Sequence, residues 1–289
     1  MSNIRKAERK RAKLRMGISA PSGAGKTYSA LLLAFGLGGK IGLIDTEHGS
    51  GDLYAHLGEY DIISIQAPYS VSKYLSAIRE FEAAGYNTVI IDSLTHAWAG
   101  DGGLLDKQGK MADRGVNSFA AWRTITPEHN ALVDTMLQSP MHIIATMRAK
   151  QEYILEANDK GKQTPKKVGL APVQREGMEY EFTVMLDIDM SHIASASKDR
   201  TSLFDGQFFK VTRETGETLL GWLETGIEPP VPEYITADQV TVLDDLIKEV
   251  KADKKAFFEW LKVKSLDVLL SADYQKAVDA LNKKREASK

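Results

Sequence analysis

The run Ala20-Pro21-Ser22-Gly23-Ala24-Gly25-Lys26-Thr27 lies between a strand-like stretch, Lys13–Ser19, and an apolar, helix-patterned stretch, Tyr28–Phe35. A strand that turns through small residues into a helix is the context a phosphate-binding P-loop requires. Small residues let successive backbone N–H groups face one anion, and the helix dipole adds to the attraction. Ser22, Gly23, Ala24, Gly25, Lys26, Thr27 and Tyr28 are the residues expected against a nucleotide. Lys26 reaches the β- and γ-phosphates, and the Thr27 hydroxyl holds Mg²⁺. The usual first glycine of the motif is Ala20 here, the smallest replacement, so the loop is expected to survive. The helix is expected to end at Gly36.

Composition narrows the partners and the chemistry. The 289 residues suit one core of ordinary size with a small appendage. A formal net charge of −2 gives no global reason to expect nucleic acid, so any basic surface must be local. Cysteine is absent, which excludes disulfides, thiolate zinc sites and a cysteine nucleophile, and favours the reducing cytoplasm. The basic run Arg5–Lys13 lacks the apolar core of a signal peptide. It reads as a solvated helix or tail, or as an arm for nucleic acid or a neighbouring subunit. No stretch of about 18 or more apolar residues exists, so no membrane span is expected.

Beyond the first helix, strand-like and helix-like segments alternate. Lys40–Asp45, Asp61–Gln66, Thr88–Asp92 and Met141–Thr146 read as strands, with a short helix over Leu53–Leu57. A helix capped by Ser70 presents Val71, Tyr74, Leu75 and Ile78 and stops at Gly85. Another is expected to start at Thr126-Pro127-Glu128, with proline at its first position, and to run to Pro140. Such alternation means an α/β domain with a mostly parallel sheet. From Phe182 onward the segments 182–189, 192–196 and 207–212 are too closely spaced for crossover helices, so antiparallel strands are expected. Pro229-Pro230-Val231-Pro232 marks a linker. The capping box Thr236–Gln239 then opens a helical module, whose last helix starts at a Ser271 or Asp273 cap. The expected organisation is an arm at 1–13, the α/β domain at 14–228, a linker at 229–235 and a small helical domain at 236–289.

Asp92 closes an apolar strand downstream of Lys26, the place of a Walker B carboxylate that binds Mg²⁺ directly or through water. The two strand-like runs between the motifs suit P-loop ATPases with extra strands inserted beside the first better than nucleotide kinases. At another strand tip, Asp45-Thr46-Glu47-His48 offers carboxylates that can polarise an attacking water. The histidines are scattered, and none forms a metal-binding group.

Ile44-Asp45-Thr46-Glu47-His48, followed by Tyr54, resembles the corresponding stretch of the RecA recombinases. The resemblance covers residues 14–225. It implies a RecA-like P-loop NTPase core using ATP and Mg²⁺, with Glu47 as catalytic base and Tyr54 stacked on adenine. Thr146 stands where RecA has a glutamine that senses the γ-phosphate, and Arg148 is the rival for that role. A lysine-rich stretch, Ala157–Lys167, falls where the family places its second DNA-contacting loop and holds Lys160, Lys162, Lys166 and Lys167. The first such loop would lie within Ala99–Arg123, with Lys107, Lys110, Arg114, Phe119 and Trp122. Read without the family, both are solvated loops. With it, lysines serve phosphates and aromatics serve base stacking on single strands. Lys198 and Arg200 match a basic pair that enters a neighbour's active site and stabilises the transferring phosphoryl group.

The chain as a whole looks like phage-type nucleotide-binding proteins of RecA ancestry, which implies the host cytoplasm. The stretch Leu266–Leu281 resembles tails of phage recombination proteins. The partner of that module is DNA, a single-strand-binding protein or a sister subunit. The implied function is ATP-dependent action on single-stranded DNA in recombination or strand annealing, in a ring or filament with ATP between subunits. The alternatives are a hexameric DNA motor or helicase-loading ATPase, a small-molecule kinase, and an adaptor gated by nucleotide.

Overall fold

A computed structural model describes residues 6–157, 163–227, 234–261 and 263–287. Contacts divide the chain into two compact units, Met1–Ile227 and Glu228–Lys289. The first is an α/β layer structure. Among the described residues its strands are β1 (Arg15–Ala20), β2 (Ile41–Asp45), β3 (Asp61–Ser64), β4 (Thr88–Asp92), β5 (His142–Ala157), β6 (Gln163–Pro172), β7 (Val184–Ile188), β8 (Ala194–Asp199) and β9 (Phe208–Phe209). They follow the order β3-β2-β4-β5-β1-β7-β8-β9, with β6 paired to β5 outside this path. Every pairing from β3 to β7 is parallel, whereas β7–β8, β8–β9 and β5–β6 are antiparallel. The strands between the two motifs, β2 and β3, lie at the far edge of the sheet, and β5 is the strand beside β1.

The sheet is buried on both faces, which explains why its strands read as continuous apolar runs. Alternation sorts their side chains. Val89 and Ile91 of β4, with Ile143, Ala145 and Met147 of β5, join one core. Ile90, Ile144, Met16 and Ile18 join the opposite one. The first core is covered by α2 (Val71–Ala83) through Tyr74, Ile78 and Phe81, and by α5 (Ser118–Gln138) through Ile125, Leu132 and Met136. The second is covered by α1 (Lys26–Leu37) through Leu31, Leu33 and Ala34, and by α6 (Arg213–Glu224) through Leu219 and Leu223. Between β4 and α5 lie α3 (Leu94–Ala99) and α4 (Leu104–Asp113).

Several local expectations change. Pro127 lies inside α5, whose cap is Asn117, its side chain accepting from the Ala120 N–H at 2.8 Å. Proline removes one helical donor, but Ala121, Ile125, Leu132 and Met136 are buried at helical spacing on both sides of it. That shared apolar stripe carries the helix through. Gly36 does not end α1, which continues to Leu37 with Gly38 as its cap. Gly36 instead lets α6 approach: a Cβ there would lie 2.1 Å from the Arg213 carbonyl oxygen, and one on Gly216 would lie 2.3 Å from that of Leu33. The stretch expected as a first loop is the helical pair α4–α5. In the second, Ala157 and Gln163–Lys167 belong to the β5–β6 hairpin.

Residues 9–11 of the basic arm pack on the end of α6. The Arg11 N–H donates to the Ile227 carbonyl at 2.9 Å, Arg11 Nε to that of Glu224 at 3.2 Å, and the Arg9 guanidinium sits 3.9 Å from the centre of the Trp222 ring. Cations there suit the negative end of the helix dipole. Among the described residues of the second unit, α7 (Ala237–Glu249), α8 (Lys254–Leu261) and α9 (Ser271–Ala287) surround Leu243, Ile247, Leu266, Leu269, Ala277 and Leu281. Its capping box at Thr236 and Gln239 is formed. No helix among the described residues is long and apolar enough to cross a membrane.

The close approach of α1 and α6 can be tested within one helix. Gly216→Ala is expected to lower stability by about 1–3 kcal/mol through overpacking. Gly221→Ala, an exposed position of α6 with open space around it, is expected to raise it by up to about 1 kcal/mol through helix propensity. Urea midpoints of the two variants should move in opposite directions.

Candidate nucleotide-binding site

Parallel register gathers the strand ends. Asp45 stands opposite Asp92, Ala20 opposite Arg148, and Ile18 opposite Thr146. The C-terminal ends of β1, β2 and β4 and the adjoining stretch of β5 therefore border one crevice, where open α/β sheets bind ligands. The P-loop leaves β1 there and ends on the first turn of α1. Gly23 and Gly25 have φ of 84° and 87°, left-handed values that favour glycine. Ala20 is the last residue of β1 and has no positive φ, which is why alanine serves at the usual glycine position. Lys26 Nζ donates to the carbonyls of Ala20 (3.2 Å) and Pro21 (3.1 Å). Burial lowers its pKa, opposed by the charges of Asp92 and Glu47.

Asp92 is 1% exposed and held by two hydroxyls. Thr27 Oγ1 donates to Oδ2 at 2.6 Å and Thr146 Oγ1 donates to Oδ1 at 2.5 Å. Burial raises the Asp92 pKa, and the two threonine bonds oppose that rise. A carboxylate beside a hydroxyl at a P-loop helix is a hard-oxygen donor set that fits Mg²⁺. No group of three or more His, Cys, Asp or Glu side chains placed to hold a metal occurs among the described residues. The set therefore suits an ion that takes its remaining ligands from phosphate and water.

Glu47 lies at the tip after β2. The Asp45 carboxylate accepts from its N–H at 2.6 Å and from the Gly51 N–H at 3.4 Å, so Asp45 shapes the turn. Ser93 Oγ donates to Glu47 Oε1 at 3.1 Å, and Arg148 Nε donates to the same oxygen at 3.0 Å. Arg148 Nη2 pairs with Oε2. Burial pushes Glu47 up, but the Arg148 and Ser93 bonds and the Arg148 charge outweigh it, leaving the carboxyl below its ordinary range. Behind Ser93, its N–H donates to Thr46 Oγ1 at 2.8 Å, and that oxygen lies 2.7 Å from His96 Nδ1.

A cleft of about 610 Å³ joins these parts. Its walls include Ser22 through Ser29 of the P-loop and α1, together with Glu47, Tyr54, Asp92 and Arg148. The Tyr28 and Tyr54 rings meet edge to face at 6.0 Å within it. Ser50 lines it as well, its buried hydroxyl without a hydrogen-bond partner among the described residues. His192, Lys210 and Val211 complete the wall.

Not every expected residue arrives there. Thr146 is fully buried beneath Asp92 and lines no part of the cleft, so of the two sensor candidates only Arg148 faces it. Lys198 Nζ donates to the Glu179 carbonyl at 3.1 Å and also to that of Tyr180, and Arg200 Nη2 donates to Tyr180 at 3.2 Å. Burial and the neighbouring Arg200 lower the Lys198 pKa. Neither side chain touches this chain's own cleft.

Lys107 pairs with Glu128, and Lys110 with Asp106 at 2.5 Å and Asp101 at 3.7 Å. Arg114 caps the C-terminus of α4. Trp122 stacks on Trp98 at 5.6 Å, whereas Phe119 is 84% exposed. The expectation of a free basic loop over 99–123 is thus corrected. The Gly103 and Asn117 caps and the Trp98–Trp122 packing make it helical, and ion pairs already engage Lys107 and Lys110. Lys166 and Lys167 stand on strand β6 rather than a loop, and Lys160 and Lys162 lie outside the described residues.

Ser50, Ser93, His192, Lys210 and Val211 escaped the sequence reading. Ser93 had one usable signal, its place directly after the Asp92 strand. For His192, the polar turn Asp189–Ser191 between two strand-like runs was the only hint.

A model of the AAA domain family matches residues 12–217. No curated protein matches. Among solved structures, a prototypical ATPase from the type III secretion system of pathogenic bacteria aligns over 94% of this chain and 80% of its own, at 13% identity and a TM-score of 0.37, a likeness from which nothing further follows.

The Asp92 arrangement predicts a pH-dependent stability effect. Thr146→Val removes one donor from a buried carboxylate and should cost about 1–3 kcal/mol at neutral pH. A protonated Asp92 needs that donor less, so the penalty should shrink as pH falls. Urea unfolding at several pH values measures both.

Proposed function

The chain belongs to the AAA domain family and is a nucleotide-binding ATPase, and from that premise we propose that it hydrolyses ATP with Glu47 as base while acting on single-stranded DNA in recombination or strand annealing. The observation that carries the hydrolytic part is convergence: Lys26, the Thr27–Asp92 pair and Glu47 face one cleft from separate strand tips. The P-loop N–H groups and Lys26 bind the phosphates, and the Tyr28–Tyr54 pair offers an aromatic wall to the base. Thr27 and Asp92 would hold Mg²⁺, which would neutralise charge on the β- and γ-phosphates. Glu47 accepts a proton from the attacking water as the bond between the γ-phosphorus and the bridging oxygen breaks. Arg148 engages both Glu47 oxygens and lowers the basicity of the carboxylate, so loosening that pair would strengthen the base.

Support for DNA comes from the RecA-like pattern over 14–225 and from the backbone path. Strand β5 carries Arg148, the partner of Glu47, directly into the β5–β6 hairpin that bears Lys166 and Lys167. DNA on that hairpin would act on the Glu47–Arg148 pair through one continuous strand. Lys198 and Arg200 lie outside the chain's own cleft, so in the proposed ring or filament they serve a neighbour's phosphates. A single-strand-binding protein is the proposed partner of the helical module.

ATPase rates without DNA, with single-stranded DNA and with duplex, alongside mass measurements with and without ATP, test this reading. Single strands should stimulate turnover most, with affinity falling steeply in salt, and ATP should promote assembly. Indifference to DNA removes the nucleic-acid part, and turnover by a monomer removes the trans role of Lys198 and Arg200.

Two substitutions probe the base. Glu47→Gln should leave ATP affinity nearly intact and lower kcat by about 10²-fold or more. Arg148→Ala should move the acidic limb of kcat to higher pH. Glu47 acts as a base only above its pKa, which Arg148 holds down, so losing Arg148 raises the pH at which the base is silenced.

A further inference from the structure

The turn between β7 and β8 is built tightly against the P-loop. Asp189 organises it: its Oδ1 accepts from the Ser191 N–H at 2.8 Å and the Ile193 N–H at 2.9 Å. Its carbonyl accepts from the His192 N–H at 3.0 Å, and its own N–H donates to the Ile193 carbonyl at 3.0 Å. His192 occupies the left-handed region, with φ of 62°. Its ring reaches the P-loop, where Nδ1 lies 3.1 Å from the Ala24 carbonyl oxygen. A Cβ on Gly25 would stand 3.4 Å from the same nitrogen. A carbonyl only accepts, so Nδ1 is the protonated nitrogen.

Resting on the nucleotide-site reading above, we propose that His192 is a positioning residue for the nucleotide's phosphates, acting through the Ala24–Gly25 peptide. The peptide unit is planar and trans, so the Gly25 N–H points opposite to the Ala24 carbonyl. Fastening the carbonyl to the β7–β8 turn fixes the direction of that N–H, one of the P-loop donors. The fixture matters because Gly23 and Gly25 leave this loop with the greatest backbone freedom to lose on binding. His192 thus supplies from a distant hairpin the rigidity that the small residues of the motif give up.

Variants of the full-length chain separate this role from its rivals. Asparagine places Nδ2 where histidine places Nδ1 and tolerates a left-handed backbone, whereas glutamine reaches toward the position of Nε2. Calorimetric titration with Mg·ATP and with Mg·tripolyphosphate reads the phosphate contribution, with and without a base. His192→Ala should weaken both ligands by about three- to tenfold, the range of one hydrogen bond. It should raise KM similarly, with kcat within about twofold, as expected when ground and transition states are held alike. His192→Asn should restore both affinities, and His192→Gln should not.

Unchanged affinity in His192→Ala overturns the proposal, as does rescue by glutamine rather than asparagine. So does a loss confined to ATP, which would mean contact with the base or sugar. If the alanine variant fails to fold, the asparagine and glutamine pair decides alone. Lys26→Ala tells this failure from that of the underlying reading. If it binds ATP as tightly as the parent, the nucleotide site is misplaced and the His192 role falls with it. If it loses ATP while His192→Ala keeps it, only the His192 role falls.

Discussion

A carboxylate shut away from water must find hydrogen bonds or take up a proton, because desolvating the charge costs several kcal/mol. Asp92 meets that demand with Thr27 from the first turn of α1 and Thr146 from β5. The two bonds tie helix and strands together where the cleft forms, and they orient one carboxylate oxygen beside the Thr27 hydroxyl. The bonds reach their lengths only because β4 and β5 are held in parallel register by apolar packing on both faces. Metal-site geometry and core packing are thus one mechanical problem.

Around that point, groups of opposite tendency are held close. Burial lowers the pKa of Lys26 and raises that of Asp92; each charge opposes the other's shift, while Glu47 supports the charge on Lys26 and works against that on Asp92. Glu47 is treated oppositely, since Arg148 and Ser93 keep it ionised. Two carboxyl groups on adjacent strand tips therefore sit in environments that push them apart, as differing roles in one reaction require. Arg148 belongs at once to the cleft and to the long strand that leaves the sheet. It is the residue through which events on the β5–β6 hairpin can reach Glu47.

Much of this architecture was legible. Continuous apolar runs announced strands buried on both sides, and close spacing after Phe182 announced antiparallel pairing. The misreadings share a cause. Pro127 and Gly36 are strong local stop signals, yet each lies inside a helix. At Pro127 the buried positions continue on both sides, and at Gly36 the missing side chain admits α6. The lysines of 99–123 looked like free phosphate ligands because the sequence does not reveal that Glu128 and Asp106 stand opposite them.

The sequence by itself determined the P-loop, the alternation that makes an α/β sheet, the strand-end carboxylates Asp92 and Glu47, and the capped helical module. These are local properties: hydrophobic period, the left-handed backbone that glycine permits, and side chains that cap a neighbouring turn. Tertiary structure decided who partners whom. Arg148 meets Glu47 across 101 residues and His192 meets Ala24 across 168. Thr146 meets Asp92 across 54 residues. Such pairings depend on strand order, register and the path of a distant hairpin, which no local periodicity encodes, because they are set by how two sheet faces are covered at once.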